Sequence, residues 1–373
     1  MIIVAYHSYG TPNKFHLQGR VLEKMGINAA DGDSTWDNLV NMVKRFTSPG
    51  IPHARVRARF QELERDFVAD KAGYFGGWIE PPQPLPDDGL WQEVGLELIE
   101  PRRKASMPVR TTASVLVPLP DAQFAVISDI DDTVIHTDAV NLLRMARIVF
   151  LGNAHTRLPL KGVAGFYRAL FHGNGLKGMN PLFYISNSPW NLYDLLCEFF
   201  HLHDIPIGPV LFLRRWGFTR KERLPMRMRE HKLSSVRNIL ELFPHLPFIL
   251  IGDSGEQDPE IYAELVSEFP ERIRAVYIRN ASRNLHRPAE IQVLADKVTQ
   301  AGSTLILADD TWPMALHAEQ QGWITPASLV EIDAERQKDT APPSPFAELL
   351  GHTEEEDVPT VVIGGAPTGK LGS

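Results

Sequence analysis

From about residue 121 the chain alternates short, uninterrupted apolar runs with amphipathic stretches, and few folds accept that rhythm. The runs are FAVIS (124–128), LFYIS (182–186), VLFLR (210–214), FILIG (248–252), AVYIR (275–279) and TLILA (304–308). A strand with one face in water alternates apolar and polar residues, whereas these runs do not alternate, so both faces of each strand must be covered. Helical spacing over 162–172, 190–202, 231–243, 259–269, 289–300 and 312–321 supplies the cover. The expectation is an α/β fold with a doubly wound parallel sheet, whose ligands bind beyond the carboxyl ends of its strands.

Residues 1–120 have a different rhythm. GRVLE, HARVRARFQ, YFGGWIE, LWQEVGLELIE and TASVLVPL read as strands between Pro, Gly and Asp clusters, with one helix predicted from Ser34 through Phe46. This predicts a smaller β-rich sandwich domain. Residues 331–373, with APPSP, TEEED and GGAPTGKLGS, are too polar to build a core and are expected to form a disordered tail. The organisation expected is therefore 1–120, 121–330 and 331–373.

The question that the parallel sheet raises is AVISDIDDTVIHTDA. A buried strand runs into Asp129, Asp131, Asp132 and Asp138, and crowded carboxylates cost stability unless a cation offsets their repulsion. Hard oxygen donors suit Mg²⁺. A calcium loop of the EF-hand type fails, because Val134 stands where glycine is needed and Val140 where a bidentate Glu is needed. A second acidic strand end, FILIGDSGEQD, carries Asp253 and, at the start of the next helix, Asp258. Its Gly-Asp-Ser-Gly imitates a serine-protease fragment, but the βα alternation excludes a two-barrel protease.

Two further strand-end groups fit an anion. In LFYISNSPWNLY, Ser186 closes the strand, Asn187 follows, and Pro189 is expected to open a helix whose free N–H groups favour phosphate. His231 and Lys232 are expected at the head of the helix HKLSSVRNILELF, where a lysine opposes the helix dipole and an anion would offset the cost.

Taken in chain order, DIDDT, the strand-ending Ser186, Lys232 and GDSGEQD resemble the four motifs of the haloacid-dehalogenase-like phosphohydrolases. SDIDDT, FYISNSPWNLY, HK and FILIGDSGEQDPEIY together resemble the catalytic domain of the actin-patch phosphatidate phosphatases. The resemblance implies that Asp129 is the nucleophile, Asp131 the general acid and base, and Thr133 a loop anchor. It also implies that Ser186 and Lys232 hold the phosphoryl group, and that Asp129, Asp131, Asp253 and Asp258 hold Mg²⁺. Asp132, Asp138 and His136 receive no role.

The interval between Thr133 and Ser186 is too short for a full cap domain, which predicts an open site and a large or surface-presented substrate. The stretch 214–232 carries eight Lys or Arg against two Glu, which makes Arg214 a candidate substrate contact, and 139–152 is strongly apolar. Together they suit an anionic membrane surface, hence a lipid phosphate; a soluble or protein phosphate, or a non-catalytic binding module, are the alternatives.

Composition narrows the partners. A net charge of −8 argues against a general nucleic-acid binder, 43% hydrophobic and 23% charged residues suit a soluble chain, and no run approaches a membrane span. The lone Cys197 lies in an apolar helical pattern and reads as a core thiol. Met1 is followed by IIVAY with no basic n-region, so the cytoplasm, with peripheral membrane contact, is the expected compartment.

Overall fold

The six apolar runs become one parallel sheet. In the computed structural model, which describes residues 1–23, 48–101, 107–130, 162–175, 179–214, 225–282 and 284–340, eight strands precede it. These are β1 (Ile2–Ala5), β2 (Ser8–Thr11), β3 (Lys14–Leu22), β4 (Arg55–Phe60), β5 (Leu63–Val68), β6 (Tyr74–Ile79), β7 (Trp91–Glu100) and β8 (Arg110–Leu116). The parallel strands are β9 (Ala125–Asp129), β10 (Leu182–Pro189), β11 (Val210–Arg214), β12 (Phe248–Asp253), β13 (Ile273–Arg279) and β14 (Leu305–Ala308). Among them run α1 (Val163–His172), α2 (Tyr193–Leu202), α3 (Pro225–Leu242), α4 (Asp258–Glu268), α5 (Arg287–Gln300), α6 (Trp312–Gln320) and α7 (Pro326–Thr340).

The parallel sheet has the order β11-β10-β9-β12-β13-β14. Chain order therefore reverses at β9, whose neighbours are β10 on one side and β12 on the other. Every residue of β9 and β12 is buried, as expected for runs covered twice. Side chains leave a strand to alternate faces, and the two faces feed separate cores. Val126, Tyr184, Ile249 and Tyr277 pack with α1, α2, α6 and α7; Ile127, Phe183, Leu250 and Ile278 pack with α3, α4 and α5. A fully buried side chain of this size contributes about 1.5–3 kcal/mol, so the sheet is a rigid platform for whatever its strand ends carry.

Three boundaries differ from expectation. Helix α3 begins at Pro225, so Lys232 sits in its third turn and not at its head; Pro225 at the first helical position was the available signal. Strand β10 continues to Pro189, and α2 opens at Tyr193 after a short 3₁₀ turn, Trp190–Leu192. Helix α7 runs to Thr340, ten residues into the segment expected as tail, because Ile332 is fully buried in the core beneath α1.

The first eight strands form a single hydrogen-bonded sheet, not the two separate sheets of a sandwich, with the order β1-β3-β2-β8-β7-β4-β5 and β6 on β3. A parallel pairing of β2 with β8 joins its two halves. One apolar cluster, including Phe15, Leu17, Val56, Phe67, Phe75, Val94, Leu96 and Val115, fills its inner side. Strand β5 was not expected, since only Phe67 in LERDFV is buried. Its charges are cross-strand partners: Arg57 opposes Asp66 and Arg59 opposes Glu64.

This sheet also packs on the parallel one. Tyr9 meets Phe183 edge-on at 5.8 Å, and Tyr6 stacks on Trp190 at 4.5 Å. The His7 backbone N–H donates to the Tyr193 hydroxyl at 2.7 Å. The helix expected over 34–46 lies outside the described residues, as do Asp131, Asp132, Thr133, His136, Asp138 and 139–152.

Candidate active site

At the reversal of strand order, β9 delivers Asp129 between two other strand ends. Asp129 lies beside Ile185 of β10, and Ser128 beside Ile251 of β12. One step further along those neighbours are Ser186 on one side and Gly252-Asp253 on the other. Two segments far apart in sequence thus meet because the sheet makes them adjacent. The end of β9 is fixed from behind: the Ser128 hydroxyl donates to the Asp129 carbonyl at 2.8 Å and contacts the Tyr167 hydroxyl at 2.6 Å.

One carboxylate oxygen from each of Asp129, Asp253 and Asp258 lies within 4.8 Å of the other two, and all three residues are completely buried. Lys232, 1% exposed, reaches into this group from α3. Its ammonium lies 3.1 Å from Asp129 Oδ1 and 3.0 Å from Glu256 Oε2, and it donates to Asp258 Oδ1. Asn187 donates to the same Glu256 oxygen at 3.1 Å. Of the groups expected from sequence, Asp129, Asp253, Asp258 and Lys232 form one cluster, with Ser186 buried next to it on β10. Arg214 closes β11 at the same edge of the sheet, paired with Pro189.

Glu256 was missed, although it stands inside the acidic GDSGEQD stretch. Tyr167, whose hydroxyl meets Ser128, and Arg287, which donates to the Ser254 and Glu256 carbonyls, carried no local signal. Tyr167 reads as one more apolar residue of α1, and Arg287 as a surface charge before a helix-opening proline.

Among the described residues, four carboxylates, Asp129, Asp253, Glu256 and Asp258, face the one ammonium of Lys232. Burial pushes the Asp253 carboxyl up to about 7, with the neighbouring Asp258 adding to the rise. Burial likewise raises Asp258, against the pull of Lys232. For Lys232 burial acts downward, but Asp129, Asp258 and Glu256 together outweigh it and hold the ammonium well above its ordinary range. Asp253 Oδ1 accepts the Gly255 and Glu256 backbone N–H groups at 2.6 and 3.2 Å. Its Oδ2 is buried with no hydrogen-bond partner among the described residues. A buried carboxylate oxygen without a donor, amid surplus negative charge and hard oxygen ligands, fits a divalent cation.

Gly252 shows how tightly the cluster is built. Asp258 folds back so that its Oδ2 accepts the Asp253 N–H at 3.1 Å. A Cβ on residue 252 would lie 2.2 Å from that oxygen and 2.8 Å from Asp258 Cβ and Cγ. Gly252→Ala is therefore expected to destabilise the fold by about 1–3 kcal/mol through overpacking. Chemical denaturation measures this, and a variant as stable as the parent would refute the close approach.

Buried acids and a lysine thus meet at the point where an open parallel sheet reverses its strand order, the edge at which such sheets generally bind ligands. Comparison then places the segment more narrowly. Residues 124–280 match the family model described as the catalytic domain of phosphatidate phosphatase APP1. The chain is 35% identical over 254 residues to phosphatidate phosphatase APP1 of Saccharomyces cerevisiae, a match spanning 67% of this chain and 42% of that one. It is 32% identical over 160 residues to an uncharacterised Schizosaccharomyces pombe protein, across 42% of this chain and 25% of the other. The chain thus spans less than half the length of these curated relatives. Among solved structures, a carbohydrate acetylesterase from Xanthomonas citri aligns over 79% of this chain and 72% of its own at 11% identity, with a TM-score of 0.25.

Proposed function

We propose that the chain is a Mg²⁺-dependent phosphatase that hydrolyses phosphatidate or a related lipid phosphate monoester through an aspartyl phosphate. On this reading the parallel sheet is the doubly wound, Rossmann-like sheet of the haloacid-dehalogenase-like phosphohydrolases. Residues 121–330 are the catalytic domain and 1–120 a β-rich companion. The observation that carries the reading is the convergence of Asp129, Asp253 and Asp258 within 4.8 Å, with Lys232 against Asp129.

The chemistry follows from position. An Asp129 carboxylate oxygen attacks phosphorus while the bond from phosphorus to the alcohol oxygen breaks, and Asp131 gives the leaving alkoxide its proton. Asp131 then takes a proton from water, whose oxygen attacks phosphorus and releases inorganic phosphate, restoring the Asp129 carboxylate. Ser186 and Lys232, with Asn187 and Arg214 at the same edge, hold phosphoryl oxygens as negative charge spreads over them. Thr133 anchors the loop after Asp129. Mg²⁺, held by Asp129, Asp131 and Asp253 with Asp258 behind, would reduce the repulsion between the attacking carboxylate and a phosphate dianion.

The lipid assignment is supported by the similarity to the phosphatidate phosphatase of Saccharomyces cerevisiae and by the basic 214–232 stretch. Among the described residues no helix is long and apolar enough to cross a membrane; the basic 214–232 stretch suits an anionic lipid surface, where the substrate is expected to be met. Phosphate release from phosphatidate vesicles and from soluble phosphate esters, each with Mg²⁺ or with EDTA, tests this. The expected result is Mg²⁺-dependent release that favours the vesicles. Preference for soluble esters or phosphoproteins would overturn the lipid assignment, and no release from any of them, with no metal bound, would make the chain a binding module.

A further inference from the structure

Asp253 can serve a cation only if its unpartnered oxygen is held in place, and the turn that holds it is itself gripped from outside. Residues 254–257 connect β12 to α4. Two of their N–H groups fix Asp253 Oδ1, and Glu256 extends its side chain to Lys232. On the opposite side of this turn stands Arg287, the first residue of α5, with a side chain only 13% exposed. Its Nε donates to the Ser254 carbonyl at 3.1 Å and its Nη2 to the Glu256 carbonyl at 3.1 Å. Its outer edge grips the Glu260 carboxylate, with Nη2 2.8 Å and Nη1 2.5 Å from the two oxygens, and Nη1 also reaches Glu290 at 3.3 Å. A second tie runs alongside: Ser254 Oγ accepts the N–H groups of Ala281 at 3.0 Å and Ser282 at 2.9 Å.

We propose that Arg287 is a positioning residue for the cation site. It touches neither substrate nor ion, but it fixes the turn whose amides orient Asp253 and whose Glu256 anchors Lys232. A planar guanidinium can hold two carbonyls two residues apart and a carboxylate together; an ammonium on a flexible stem lacks that fork. Groups behind a ligand that are lost in this way typically weaken metal binding by about 10–100-fold.

The inference rests on the metal reading above, so the test measures binding apart from turnover. Mn²⁺ titrated into the full chain, with free Mn²⁺ followed by electron paramagnetic resonance, gives the affinity directly. Arg287→Met and Arg287→Lys are each expected to weaken it by about 10–100-fold, Lys failing to rescue. Arg237→Met is the control, because Arg237 makes an equally regular pair with Glu268, both bonds 2.7 Å, on α3 and α4 without touching the turn. It is expected to leave Mn²⁺ binding unchanged. Circular dichroism confirms folding, and the Lys variant decides the matter if the Met variant does not fold. Unchanged affinity in a folded Arg287 variant overturns the positioning role alone. A wild-type chain that takes no Mn²⁺ overturns the metal reading and this inference together.

Discussion

Asp129→Asn is expected to lower Mg²⁺-dependent phosphate release by roughly 10⁴–10⁶-fold while leaving the chain folded. The size follows from the role proposed: loss of a covalent nucleophile removes the whole two-step route, and residual rate comes only from binding and charge stabilisation. Retention of the fold follows from the surroundings. Asn has nearly the same shape, and it removes one negative charge beside Asp253 and Asp258, whose carboxyls burial already pushes up. Lys232 keeps Glu256 and Asp258 as partners. Phosphate release at saturating Mg²⁺ gives the first quantity, and the urea unfolding midpoint gives the second. Activity within tenfold of wild type would end the assignment of Asp129 as nucleophile; a collapsed midpoint would show that its charge is structural.

The parallel sheet was legible for a simple reason. A strand buried on both faces has no polar position to spare, so each of the six runs stands out from its surroundings, and the acids that follow them stand at the ligand-binding edge. The cluster was legible as a set of strand ends, yet its internal wiring was not. Glu256 is one acid among several in its stretch, and only the fold shows that it meets Lys232. Arg287 lies beyond the whole of β13, and its partners in the 254–257 turn are backbone carbonyls, which have no signature in sequence. Lys232 was noticed for an incorrect local reason: the helix dipole argument assumed a start near His231, whereas α3 starts at Pro225. In the first sheet, β5 was hidden because its stabilising contacts are charge pairs across to β4, a pattern that a search for apolar alternation passes over.

The position of Lys232 leads to the largest stability effect. Lys232→Met keeps the volume of the side chain but withdraws the only ammonium bound to Asp129, Asp258 and Glu256 among the described residues. Breaking a buried pair by removing one partner costs about 3–5 kcal/mol, because the surviving charge has neither water nor counterion. A solvated lysine on a helix surface would cost no more than about 0.5 kcal/mol, so the measurement separates the two situations cleanly. The loss should also depend on pH in a definite direction. A carboxyl whose folded value is raised, as for Asp253 at about 7, favours the fold when protonated, and that contribution fades as pH rises through the folded value. Asp258 shifts in the same direction, and removing the ammonium removes the attraction that restrains it. The variant should therefore lose less at pH 5, below the Asp253 value, than at pH 8, above it. Millimolar Mg²⁺ at pH 8 should raise its unfolding midpoint more than that of the wild type, since the ion replaces the missing positive charge. Urea unfolding at the two pH values, with and without Mg²⁺, provides all four numbers. A loss below 1 kcal/mol that is indifferent to both pH and Mg²⁺ would mean that the buried acids do not depend on Lys232 for compensation, and the charge argument for a cation at this site would fall with it.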